Sequence, residues 1–157
     1  MVWIPGGTFL MGSESPLALP DERPAHEVSV SGFWLDTHEV TNAEFARFVE
    51  ETGHVSTAER APTPEELAAH LPPGVEVPPA EELSPCSLVF QAPKSGQRVR
   101  GFLDWWRVSE GASWRHPEGP LSDLEGREDH PVIHVSHADA EAYCAWAGGR
   151  LQHRRQT

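Results

Sequence analysis

The sequence predicts a loop-rich fold in which short strands are mixed with short, well-capped helices. Three observations predict it. Proline (15) and glycine (13) supply 28 of the 157 residues, well above the roughly 12% of average usage, and both interrupt regular elements. Six tryptophans and six phenylalanines are more aromatic surface than a disordered chain carries, so the loops belong to an ordered core. Helical periodicity occurs only in brief stretches, each opened by a capping residue and closed by glycine or proline. The length fits one ordinary domain.

Taken in order, Trp3–Gly12 reads as a short strand organised around the Pro5-Gly6-Gly7 turn. Val28, Val30 and Phe33-Trp34-Leu35 suggest a second strand pair, broken by Ser31-Gly32. Thr41 or Asn42 caps the first helix, and Glu44 stands three residues after Thr41, the spacing of a capping box. Phe45, Phe48, Val49 and Thr52 share one helical face, and Gly53 ends it. Thr63-Pro64-Glu65-Glu66 opens a shorter helix, closed by Leu71-Pro72-Pro73. Residues 72–100 carry six prolines and no strong periodicity, which predicts a long ordered loop anchored by Ser87-Leu88-Val89-Phe90. Trp105, Trp106 and Trp114 fall in a further loop. Pro131-Val132-Ile133-His134-Val135 reads as a strand. Ser136 and Asp139 then cap a third helix, which buries Ala140, Tyr143, Cys144 and Ala147 and stops at Gly148-Gly149.

Charge narrows the partners. Twelve basic against 24 acidic residues give a net charge of −12, which repels phosphate backbones and anionic lipid; nucleic acid and membrane are therefore not expected. No apolar run approaches the ~18 residues of a membrane span, and Met1–Gly7 shows no basic and apolar signal-peptide pattern. The expected location is the bacterial cytosol.

Candidate chemistry is sparse. His130, His134 and His137 are the obvious metal cluster among nine histidines, but on a strand His134 and His137 point to opposite faces, and the spacing lacks that of a helical ligand pair. A structural role for His134 and a turn role for His137 are expected, with no metal. Cys86 and Cys144, 58 positions apart, form neither a disulfide framework nor a thiolate metal motif. Cys144 is expected on a buried helical face and Cys86 in a loop, the more exposed of the two. No residue is assigned a catalytic role. The most distinctive stretch is Gly111-Ala112-Ser113-Trp114-Arg115-His116-Pro117-Glu118-Gly119-Pro120. Two readings stand: one wall of a peptide groove, with Trp114 offering an apolar face and Arg115 and Glu118 polar contacts, or a braced turn with Trp114 in the core.

Here the sequence resembles a known family. Met1–Gly12, Glu39–Val49, Gly111–Pro120, Asp129–Ser136 and Asp139–Leu151 follow, in order, the motifs of formylglycine-generating enzymes, the sulfatase-modifying factors. The Trp-Arg-His-Pro-Glu-Gly block is the most specific; the outer motifs are shared with ergothioneine-pathway sulfoxide synthases and with non-catalytic paralogues. The resemblance implies an α+β fold, a low-secondary-structure variant of the C-type-lectin type. It implies an oxygen-dependent oxidase acting on the cysteine of a Cys-x-Pro-x-Arg segment of a sulfatase polypeptide. It implies that Ser87, Ala112 and Trp114 line the substrate-peptide groove. Copper(I) on a late cysteine pair and calcium sites are implied for the later half of the full-length family, with none bound by residues 1–151.

Two departures from the pattern and one match stand out. Cys86 replaces a frequent acid, His137 replaces a tryptophan, and Cys144 matches a position disulfide-bonded to a later cysteine in eukaryotic members. The resemblance covers residues 1–151, the N-terminal portion of a sulfatase-modifying factor domain. Gln152–Thr157 departs from it and reads as an out-of-frame tail. The expected function is that of a formylglycine-generating enzyme whose catalytic half lies outside these residues, so that they are inactive alone. A peptide-binding remnant or half of a split enzyme is one alternative, and a sulfoxide-synthase-like relative is another.

Overall fold

In the computed structural model, residues 1–69, 71, 74–93, 96, 98, 101 and 104–151 are described. The tail at 152–157 and the Pro72-Pro73 helix stop lie outside the described residues. The chain divides into two units, residues 1–39 and 40–151.

The first unit is a nested pair of two-stranded ribbons. Strands β1 (Val2–Ile4) and β4 (Phe33–Leu35) pair antiparallel, as do β2 (Gly7–Met11) and β3 (His26–Val30). The two segments read as a consecutive strand pair therefore do not pair with each other: each returns along an earlier strand. Pro5-Gly6 lies opposite Ser31-Gly32 at the break between the ribbons. Glycine is needed there, because a Cβ on Gly32 would stand 2.3 Å from the Trp3 ring and one on Gly6 would stand 2.7 Å from the Val30 carbonyl. Trp3 and Trp34, directly opposite in the register, pack edge to face at 5.5 Å.

In the second unit, helix α1 (Asn42–Thr52) begins as its sequence predicts. The Thr41 side chain accepts from Glu44 N, and Glu44 reaches back to Thr41 N at 2.9 Å. Gly53 adopts the left-handed conformation (φ 70°) and its N–H returns to Val49 O. Phe45, Phe48 and Val49 form the core with Trp114. Helix α2 (Pro64–Ala68) opens at Thr63 as expected, and Glu66 closes a capping box there. Helix α3 (His137–Trp146) is capped by Ser136 with Asp139 and ends where Gly149 N–H donates to Cys144 O.

Two expectations change. Cys86–Phe90 is a strand, β5, rather than a loop anchor, and Trp106–Glu110 is its antiparallel partner β6. Their pairing spans a long connection with no tight-turn signature, so no local pattern announces it. Pro131–Val135 is not a strand. It makes one bridge, Thr41 to Pro131, with Val132 N–H donating to Val40 O, and the run then breaks because His134 has φ 59°. Helix α3 also packs on its Ala142, Tyr143 and Trp146 side, while Ala147 is exposed. The aromatic surface of α1 selects that face: Tyr143 and Trp146 both lie 5.6 Å from the Phe48 ring.

Candidate functional site

Strand β5 carries Ser87 and Val89 on the face opposite to Cys86, Leu88 and Phe90. The Ser87 hydroxyl lies 2.8 Å from His134 Nδ1, and His134 Nε2 lies 2.8 Å from the Pro117 carbonyl. One imidazole thus joins three segments distant in sequence. The His134 backbone is left-handed (φ 59°), a conformation that costs a non-glycine residue about 1–2 kcal/mol. Two clefts meet at the ring. The first, about 530 Å³, is mainly apolar, with Leu88, Phe90, Trp106 and Ile133 on its walls. The second, about 340 Å³, is lined by Thr57, Arg60, Cys86, Ser87 and Ser136 among others. His134 lines both.

The frame around the clefts is braced by ion pairs and buried hydrogen bonds. Glu59 takes hydrogen bonds from Ser56 N–H (3.0 Å), Ser56 Oγ (2.8 Å) and the Trp114 indole N–H (3.1 Å), with Arg115 Nε 3.4 Å from its other oxygen. The Arg115 guanidinium also covers the Trp114 ring at 4.2 Å. Glu118 pairs with Arg127 rather than with Arg115. His116 Nδ1 donates to Ser122 O at 2.6 Å. Asp139, 2% exposed, accepts from Ser136 N–H, Thr57 N–H and His54 Nε2. Burial pushes its carboxyl up, but the hydrogen bonds from Ser136, His54 and Thr57 outweigh burial and hold it below its ordinary value. Arg60, which lines the second cleft, lowers the Glu66 carboxyl to about 2 through its hydrogen bond.

Of the residues expected along a peptide groove, Ser87 lines a cleft. Ala112 is fully buried, and Trp114 is 1% exposed, packed edge to face on Phe45 at 5.2 Å. Residues 111–120 are thus a braced turn with Trp114 in the core. The turn reaches the clefts through the Pro117 carbonyl and through Glu118, which lines the first. Thr57 and Arg60 were not singled out in the sequence. Nor was the contact of His134 with Ser87, since the only signal for it is a histidine ending a short extended run.

His130, His134 and His137 do not converge. Among the described residues no three His, Cys, Asp or Glu side chains gather as metal ligands. Neither cysteine is disulfide-bonded; Cys86 lines the second cleft, whereas Cys144 lines neither. No helix among the described residues is long and apolar enough to cross a membrane.

Among the described residues, small antiparallel sheets, capped helices and a long braced turn define an α+β protein whose two clefts at His134 lie against strand β5. The model of the sulfatase-modifying factor enzyme 1-like domain matches residues 1–156, and the chain belongs to that family. It is 43% identical over 151 residues to a formylglycine-generating enzyme of Mycobacterium tuberculosis, covering 96% of this chain and 47% of that protein. It is 44% identical over 153 residues to one from Thermomonospora curvata, covering 96% and 45%. A more distant relative is the hercynine oxygenase of Mycolicibacterium smegmatis, at 31% identity, covering 96% and 28%. The chain spans about half the length, or less, of these relatives.

Proposed function

We propose that these residues form the substrate-peptide-binding portion of a formylglycine-generating enzyme. On this reading the full machinery oxidises, with oxygen, the cysteine of a Cys-x-Pro-x-Arg segment in a sulfatase polypeptide. The clefts meeting at His134 receive the peptide, and the buried Ala112 and Trp114 hold the adjoining turn in shape. The observation that carries the reading is the meeting of two clefts at the hydrogen-bonded His134 ring, on a frame fixed by ion pairs. Copper, when bound by a cysteine pair, supplies the oxygen chemistry in this family. The described residues do not supply that pair, so their part is to bind and orient the peptide. The proposed completed fold is the low-secondary-structure C-type-lectin-like one, and oxidation requires the polypeptide that fills the other half of the relatives, in the same chain or in a second one.

The test is direct titration of the 157-residue chain with a synthetic Cys-x-Pro-x-Arg peptide, followed by tryptophan fluorescence and amide NMR, with oxygen uptake recorded in parallel. Saturable binding without peptide-dependent oxygen uptake is expected. Absence of binding, or turnover by these residues alone, overturns the reading.

A further inference from the structure

The Ser87–His134 pair has a definite hydrogen-bond polarity. The Pro117 carbonyl can only accept, so the His134 nitrogen 2.8 Å from it, Nε2, carries a proton. In the neutral imidazole that assigns the lone pair to Nδ1, which faces the Ser87 hydroxyl at 2.8 Å. Ser87 therefore donates its only proton to the ring. Its oxygen is left with acceptor capacity alone.

We propose that His134 is a positioning residue that holds Ser87 as a hydrogen-bond acceptor in the second cleft, where it takes a backbone N–H of the bound peptide. The inference rests on the peptide-binding reading above and deepens it. Three observations support it. His134 is the residue common to both clefts. Its ring is fastened at both nitrogens, so the serine rotor has one low-energy direction rather than three. Its backbone is kept at φ 59°, a conformation that persists in a non-glycine residue only where the surroundings over-determine it. An acceptor held in place before binding suits a peptide amide, whose N–H must be paired once water is displaced.

The polarity also excludes the opposite arrangement. With its proton committed to Nδ1, Ser87 cannot donate to a peptide carbonyl without breaking the bond to His134. A ligand that approaches through carbonyl groups alone is therefore disfavoured at this point. Proline, which has no N–H, is excluded from the peptide position that meets Ser87.

The experiment uses the 157-residue chain and a Cys-x-Pro-x-Arg peptide in which each non-proline amide N–H is replaced in turn by an ester oxygen. One ester should weaken binding about tenfold, the order expected for one net hydrogen bond. In Ser87→Ala that same ester should cost no more than about twofold, because the acceptor is already gone. His134→Asn keeps a residue that tolerates left-handed backbone and should shrink the ester penalty while preserving the amide spectrum of the fold. Ser87→Thr, which retains a hydroxyl, should restore the penalty. Nitrogen–proton correlation NMR of the His134 ring should show Nε2 protonated and Nδ1 bare.

An ester penalty equal in the wild-type chain and Ser87→Ala overturns the assignment of the acceptor. A protonated Nδ1, whether Nε2 is bare or protonated, overturns the polarity. If the unmodified peptide does not bind, the ligand half falls together with the proposed function, and the ring spectrum still decides the tautomer.

Discussion

Replacing Asp139 with asparagine removes a buried charge while keeping its shape, and the consequences can be worked out contact by contact. The carboxylate accepts from Ser136 N–H at 2.8 Å, from Thr57 N–H at 3.1 and 3.2 Å, and from His54 Nε2 at 2.8 Å. These bonds tie the start of α3 to the segment that follows α1. Asparagine offers one acceptor oxygen, and its NH2 group must face at least one of these donors. The cap alone is worth about 1 kcal/mol, and hydrogen bonds to a buried charged group about 1.5–3 kcal/mol each. The bonds share one acceptor group and do not add. A loss of about 2–4 kcal/mol at neutral pH is expected, a large share of the ~5–15 kcal/mol that holds a domain together.

Urea unfolding followed by tryptophan fluorescence measures the change as a shift in midpoint at constant slope. The folded state lowers the Asp139 carboxyl below its ordinary 3.8. Its contribution is therefore complete above that value and is lost as pH falls through the folded one. The gap between wild type and Asp139→Asn should accordingly be widest at neutral pH and narrow below about pH 4. A midpoint shift worth less than about 1 kcal/mol, or a gap that stays constant on acidification, would refute this account of the cluster.

Three other outcomes are expected. Trp114→Ala should cost about 3–5 kcal/mol in the same unfolding assay, and Trp114→Phe clearly less, since an aromatic ring stays in the core while the bond to Glu59 and part of the packing are lost. Glu66 should titrate near 2 by carboxyl-carbon NMR and return toward its ordinary range in Arg60→Ala, because the Arg60 hydrogen bond is the first cause of the shift. Val108 stands 65% exposed on the β5–β6 hairpin, directly opposite Leu88; Val108→Lys should leave the thermal midpoint nearly unchanged while reducing binding of a hydrophobic dye and light scattering on concentration.

How much of this was legible in the sequence depends on the range over which each residue acts. The boxes at Thr41–Glu44 and Ser136–Asp139 and the helix start at Thr63 formed as read, because a capping box is closed within four residues and needs nothing from elsewhere. The core face of α1 was legible for the same reason. Its partner α3 was read one step out of phase. Alanines surround Tyr143 on that helix, so composition leaves its face nearly undecided, and the rings of Phe45 and Phe48 choose it.

The hairpin of β5 and β6 was missed because its register comes from residues on either side of a long proline-bearing connection. Trp114 admitted two readings from sequence, and the acceptor that draws its indole inward is Glu59, 55 residues away. The candidate site lay further still from local rules. Ser87 was indicated by family resemblance alone. His134 was judged on the two-residue period of a strand, a period that its own positive φ breaks. Its ring is oriented by a hydroxyl 47 residues before it and a carbonyl 17 residues before it. A site assembled from three such distant segments leaves no spacing to read, and the strained residue that joins them is the one whose sequence context argues most plainly for something else.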